Sequence, residues 1–267
     1  MRILAFCLGL AAATVPAAAH EFWIEPLAYQ VDADGNVAGH LVNGETFEGV
    51  TYSYLPRRFT RFDLAIGGGI APVEGRLGDK PALNVAAPAE GVAVVAYASE
   101  VEVVRYTEFA AFLRFAAHKD LGDMESRHRA AGHPETGFGE AYSRFAKTLV
   151  AVGTGAGSDL RLGLETEIVA LANPYTEDVS AGLPVQVFYA DAPRAMAQVE
   201  LFEKAPDGSV EVTLHRTDAE GVAVLPVRAG HSYLVDAVLL RDPAPDLAEA
   251  RDVVWETLWA SLTFAVP

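Results

Sequence analysis

Cysteine is nearly absent. Cys7 is the only one in 267 residues, and it lies inside an N-terminal apolar run. A single thiol forms no internal disulfide and supplies no cysteine-rich metal site. Basic residues are scarce too: 20 Lys and Arg stand against 36 Asp and Glu, for a formal charge of −16. Nucleic-acid binding needs clustered Lys and Arg to meet phosphate, so no nucleic-acid partner is expected. The acid excess sets up a negative field that attracts cations. After the first residues no apolar run reaches the ~20 residues that cross a bilayer as a helix. The chain also lacks G-x-S-x-G, a P-loop and a dinucleotide fingerprint, and Gly67-Gly68-Gly69 is a turn run. No internal repeat is visible.

What is present begins with an export signal. Met1 and Arg2 precede the apolar run Ile3 to Ala13, Pro16 breaks it, and Ala17-Ala18-Ala19 supplies a small-x-small cleavage site. Residues 1–19 are therefore expected to be a signal peptide. The mature chain then starts at His20, leaves the cytoplasm and works in the periplasm.

The rest divides into three regions, and the fold class they imply is mainly β: two antiparallel β-sandwich regions, Ig-like or transthyretin-like, with a small helical insert. Residues 20–105 form the first β region. Phe22–Glu25, Ala38–Val42, Phe47–Leu55, Phe59–Ile66 and Val92–Ala98 are short runs rich in aromatic and β-branched residues, divided by Gly and Asn turns. Residues 106–152 read as the helical insert. One helix follows Thr107 as N-cap, a second follows Asp123, and a third is expected from Gly139 to Val150, with Tyr142, Phe145, Ala146 and Leu149 on one face. Its aromatic surface needs a sheet to pack against. Gly153 to Ser158 reads as a flexible break. Residues 159–267 form the second β region, with six strand candidates between Leu183 and Val266. Glu165 and Glu167 alternate with apolar residues, as in a half-exposed strand, and are not expected to be a catalytic pair.

The candidate chemistry centres on His20. If the chain starts there, its α-amine and imidazole Nδ1 can chelate one ion. Both titrate near neutrality, at ~7.7–8 and ~6.5, so a divalent metal displaces their protons at modest cost. Nitrogen ligands of this kind suit nickel, cobalt, copper and zinc. Glu21-Phe22-Trp23-Ile24 looks like a first strand that would pin the terminus. His118, after the first helix, is the preferred second ligand, with His231 and His215 in reserve. No histidine pair has the i, i+4 spacing of a helical metal motif.

The segment Ala19-His20-Glu21-Phe22-Trp23-Ile24-Glu25-Pro26 resembles the opening of the DUF4198 family of exported proteins. Further matches are Tyr142 to Lys147, Leu171-Ala172-Asn173-Pro174-Tyr175, Thr217 to Gly221 and Trp255 to Phe264. The resemblance implies a place beside the NikM-like periplasmic components of cobalt and nickel uptake. The resulting expectation is a free periplasmic binding protein for a divalent transition metal, more a binder than an enzyme. Its partners would be the ion and a membrane metal transporter or outer-membrane receptor. Two alternatives stand beside it. One is a copper oxidative enzyme with an amine-plus-two-imidazole site. The other is a metal-free structural or interaction module.

Overall fold

The computed structural model describes residues 20–267. Residues 1–19, expected to be a signal peptide, lie outside the described residues. In chain order the elements are β1 (Glu21–Pro26), β2 (Gln30–Val31), β3 (Asn36–Glu45), β4 (Glu48–Tyr52), β5 (Phe59–Ile66), β6 (Gly69–Pro72), β7 (Leu83–Ala86), β8 (Gly91–Ser99), β9 (Glu102–Tyr106), α1 (Phe109–His118) and α2 (Met124–Ala130). They continue with β10 (Phe138–Val152), β11 (Thr166–Ala170), β12 (Leu183–Tyr189), β13 (Ala192–Pro193), β14 (Gln198–Lys204), β15 (Val210–Arg216), β16 (Val222–Leu225), β17 (Ser232–Arg241), α3 (Pro245–Arg251) and β18 (Trp255–Ala265).

The architecture is mainly β, in three layers. A ten-stranded sheet follows the path β15-β14-β17-β18-β10-β8-β5-β6, with β2 and β9 also paired to β10. An N-terminal sheet of β1, β3, β4 and β7 covers one face, and a C-terminal sheet of β11, β12, β13 and β16 covers the other. Alternation along the shared strands divides the two cores. Ala146, Val150, Ala93 and Val95 pack with Phe22, Ile24 and Leu41 of the N-terminal sheet. Leu149, Val92 and Val94 pack with Ile168, Val185 and Val187 of the C-terminal sheet. The two β regions read from the sequence thus share one continuous sheet.

The expected third helix, Gly139 to Val150, is instead β10, the central strand of that sheet. It pairs in parallel with β18 and antiparallel with β8 and β9. The physical reason is burial on both faces. Every residue of β10 except Tyr142 is buried, so no polar–apolar alternation marks it as a strand. Its apolar residues then fit a helical period by chance. The other two helices form. Asp123 caps α2, accepting from Ser126 N at 3.0 Å. The residue before α1 is Glu108 rather than Thr107, and its side chain makes no capping bond. The insert packs on the large sheet as its aromatics require: Phe112 stacks on Trp255 at 6.5 Å and Phe115 on Trp259 at 5.6 Å between ring centroids.

Two further expectations are corrected. Gly153 to Ser158 is no loose linker. Its glycines take positive φ, and Asn173 Nδ2 donates to the carbonyls of Gly155 and Gly157 at 2.8 and 2.9 Å. Glycine here supplies left-handed turns rather than freedom. Nor is Glu167 half-exposed: β11 is buried throughout, because Lys147 of the large sheet meets Glu167 and the amides of Leu162, Gly163 and Leu164 close over its carboxylate.

β1 is held on both edges. One edge pairs with β3 from Glu21↔Gly44 to Pro26↔Gly39. On the other side, alternate carbonyls accept from side chains of the large sheet. Arg144 donates to His20 O, Ser261 Oγ to Phe22 O at 2.7 Å, and Thr263 Oγ1 to Ile24 O at 2.6 Å. Side chains thereby do the work of a neighbouring strand. Thr263→Val keeps the shape and removes the donor, leaving a buried carbonyl unpaired. Urea unfolding should show a loss of about 1–3 kcal/mol. A value within error of zero would mean that β1 is held by its pairing to β3 alone.

Candidate functional site

The face that carries β1 also carries a buried ionic cluster. Cross-strand register sets up two of its acids. Glu200 on β14 lies opposite Asp236 on β17, which lies opposite Ser261 on β18. Glu21, the first residue of β1, brings a third carboxylate over this row. Lys119, just past the end of α1, extends its ammonium into the centre. Nζ donates to Glu21 Oε1 at 2.9 Å, Glu200 Oε2 at 2.9 Å and Asp236 Oδ2 at 3.0 Å. All four side chains are buried. The Trp259 ring lies 5.0 Å from Lys119 Nζ and 4.6 Å from the Arg144 guanidinium carbon, so two cations share one aromatic ring.

Burial by itself would drive Lys119 toward its neutral form. The fields of Asp236, Glu21 and Glu200 more than reverse this and hold its pKa well above the ordinary lysine range. One ammonium does not neutralise three carboxylates. Burial pushes Asp236 up to about 7 against the pull of Lys119, and Glu21 and Glu200 add to the rise. Burial likewise lowers Arg194 to about 10. Asp236 Oδ1, Arg144 Nε and Arg194 Nη1 are buried without a hydrogen-bond partner.

A second buried carboxyl lies further along the same face. Glu140 on β10 accepts from Tyr106 Oη at 3.0 Å and Thr257 Oγ1 at 2.5 Å, and Trp259 Nε1 donates to Thr257 at 3.0 Å. Burial pushes Glu140 up to about 7, against these hydrogen bonds and Arg144.

The four histidines expected as ligands lie apart in their contacts. His20 is held by its backbone, and its Nδ1 lies 3.0 Å from Glu45 Oε1 at the end of β3; both side chains are partly exposed. His118 lies with Nε2 3.4 Å from Glu200 Oε1 on β14. His215 contacts Thr213 Oγ1 through Nε2 at 2.9 Å. His231 lies 3.6 Å from Glu203 Oε1 and lines an open cavity of about 320 Å³ with Tyr29, Lys204 and Pro267. Among the described residues, the one group of three imidazole, thiol or carboxylate donors close enough to share an ion is Glu21, Glu200 and Asp236. It contains no histidine, and the Lys119 ammonium fills its centre.

Lys119, Glu21, Glu200, Asp236 and Arg144 were not among the expected site residues. The sequence carried a signal: Asp236 interrupts the apolar run Tyr233 to Leu240, and Glu200 stands between Val199 and Leu201. A charge in a strand buried on both faces needs a partner.

Fold and cluster together define a three-layered β protein with an ionic core under its N-terminal strand. The chain belongs to the DUF4198 family, a domain of unknown function whose model matches residues 17–241. No curated protein matches it. Two solved structures are similar at a distance. One is a tetra-tandem repeat from the extending region of a large adhesion protein, at 10% identity and TM-score 0.21, covering 92% of this chain and 49% of that one. The other is the D0-D1 domain of intimin, at 12% identity and TM-score 0.20, covering 92% and 98%. The chain spans about half the length of the adhesion-protein fragment. Among the described residues no helix is long and apolar enough to cross a membrane.

Proposed function

We propose that the protein is an exported, periplasmic binder of one divalent transition-metal ion, nickel, cobalt, copper or zinc, anchored at His20. Glu45 is the neighbouring ligand. The observation that carries this reading is the placement of His20: its carbonyl is fixed by Arg144, β1 beyond it is buried, and Nδ1 stands 3.0 Å from Glu45 Oε1. In a chain that begins at His20, the α-amine, the imidazole and the Glu45 carboxylate form a compact donor set. Two nitrogens and one oxygen suit a borderline divalent ion. A rigid strand start lowers the cost of bringing them together, since chain termini otherwise fray. His118, His215 and His231 face other partners, so Glu45 takes the place expected for a second histidine. The copper oxidative alternative requires a second imidazole beside His20, and none is among its contacts. Transfer to a membrane transporter or outer-membrane receptor remains the partner reading.

Calorimetric titration tests this. Protein beginning at His20 should bind one equivalent of copper(II) or nickel(II). Adding Met ahead of His20 blocks the amine and should weaken binding at least ~10-fold, and Glu45→Gln should do so too. Equal affinity in all three proteins would remove His20 from the site. Metal-free protein of unaltered stability would instead favour the structural-module reading, which the Lys119 ion cluster also suits.

A further inference from the structure

A different buried lysine sits on the opposite face of β10. Lys147 points toward the C-terminal sheet, with Nζ 2.8 Å from Asp159 Oδ1 and 3.0 Å from Glu167 Oε1; all three side chains are fully buried. The carbonyls of Leu160 and Ile168 complete the shell of the nitrogen at 2.8 and 3.2 Å. Each carboxylate is clamped in turn. Asp159 accepts from the amides of Leu160 and Ala170 at 2.7 and 2.8 Å. Glu167 accepts from Leu162, Gly163 and Leu164 at 2.7, 2.9 and 3.1 Å. An amine and a carboxyl are thus held in contact, dry, with neither free to rotate away.

We propose that Lys147 and Asp159 join through an intramolecular amide bond, with Glu167 as proton carrier. The step starts with proton transfer within the pair, from ammonium to carboxylate. A desolvated site lowers the cost of the neutral amine–acid pair relative to two ions. Burial holds the Asp159 carboxyl above its ordinary range, against the opposing pull of Lys147. The neutral nitrogen then attacks Asp159 Cγ. Glu167 accepts a proton from that nitrogen and returns it to the departing hydroxyl. One C–N bond forms, one C–O bond breaks, one water leaves, and Glu167 ends as it began. No oxidant or co-reactant is needed. Well-aligned intramolecular groups react with effective molarities of ~10⁵–10⁸ M, which offsets the ordinary preference for hydrolysis.

The Lys119 cluster shows why proximity alone is insufficient. There the ammonium is shared among three carboxylates, one hydrogen bond to each, so no single acid is paired with it. Lys147 faces two carboxylates, and backbone amides clamp each of them in place.

The test is mass spectrometry of the folded, purified full chain after denaturation, followed by peptide mapping. The chain should be lighter than its sequence by one water, and the map should yield a branched peptide joining Lys147 to Asp159. Asp159→Ala should restore the full mass, and Glu167→Gln should slow or abolish the linkage in protein whose circular dichroism is unchanged. Because the wild-type map gives the answer directly, failure of either variant to fold leaves the test intact. Recovery of unlinked Lys147 and Asp159 peptides at full mass would overturn the proposal. So would a missing water that maps to a cyclic imide at Asp34-Gly35 or Asp207-Gly208.

Discussion

Lys119→Met should lower the folding free energy by about 3–5 kcal/mol, the range seen when one partner of a buried charge group is removed. The arrangement argues for the upper part of that range. Three carboxylates converge on this one nitrogen, and each loses a hydrogen bond of 2.9–3.0 Å. Methionine replaces the stem but offers no donor, so Glu21, Glu200 and Asp236 are left facing one another in a dry site. Arg144 compensates only partly, because its guanidinium is committed to the His20 carbonyl and to the Trp259 ring. Chemical unfolding in urea measures the loss. A second comparison separates charge from packing. Lys119→Met combined with Glu21→Gln and Glu200→Gln removes two of the repelling charges and should recover a measurable part of the loss. A loss below ~1 kcal/mol in the single variant would place the cluster with weak exposed ion pairs rather than in a dry core.

The local placement of strands was legible where one face is solvated or a turn signal is sharp. Phe59–Ile66 coincides with β5, the first of the C-terminal strand candidates starts at Leu183 as β12 does, and β1 begins where the aromatic run after His20 predicts it. β10 carries a helical pattern because sequence periodicity reports exposure, and a strand covered on both sides has none to report. The single large sheet was also invisible. It depends on β10 pairing in parallel with β18 more than a hundred residues away, and no local pattern encodes that register. The aromatic run after His20 reads as a strand and is β1, yet nothing in that run names its partners. Arg144, Lys119 and Asp236 come from three separate segments and meet only through the fold. Histidines drew attention as ligands because their chemistry is recognisable in isolation. The lysine clusters have no such signature until burial is known.

The protein should lose stability as pH rises through neutrality, and Glu140→Gln should remove part of that loss. In the folded chain burial pushes Glu140 up to about 7 from its ordinary 4.5. The native state therefore binds a proton between these values that the unfolded chain has already released. That proton stabilises the fold fully below the unfolded pKa, and its contribution is lost as pH climbs through the folded one. A rise of this size corresponds to about 3 kcal/mol at most. Asp236, also pushed up to about 7, adds to the slope in both proteins, so the difference between them isolates Glu140. Glutamine keeps the volume, does not titrate, and still offers an acceptor to Tyr106 or Thr257. Urea unfolding at constant ionic strength from pH ~5 to ~8.5 should show the wild type losing stability relative to the variant across the interval where Glu140 titrates. At the alkaline end the variant should equal or exceed the wild type, because it no longer carries a buried charge whose two hydroxyl donors and distant arginine leave it incompletely compensated. Parallel curves across the whole interval would mean that Glu140 is already ionised in the folded protein, with Arg144 and the two hydroxyls outweighing burial.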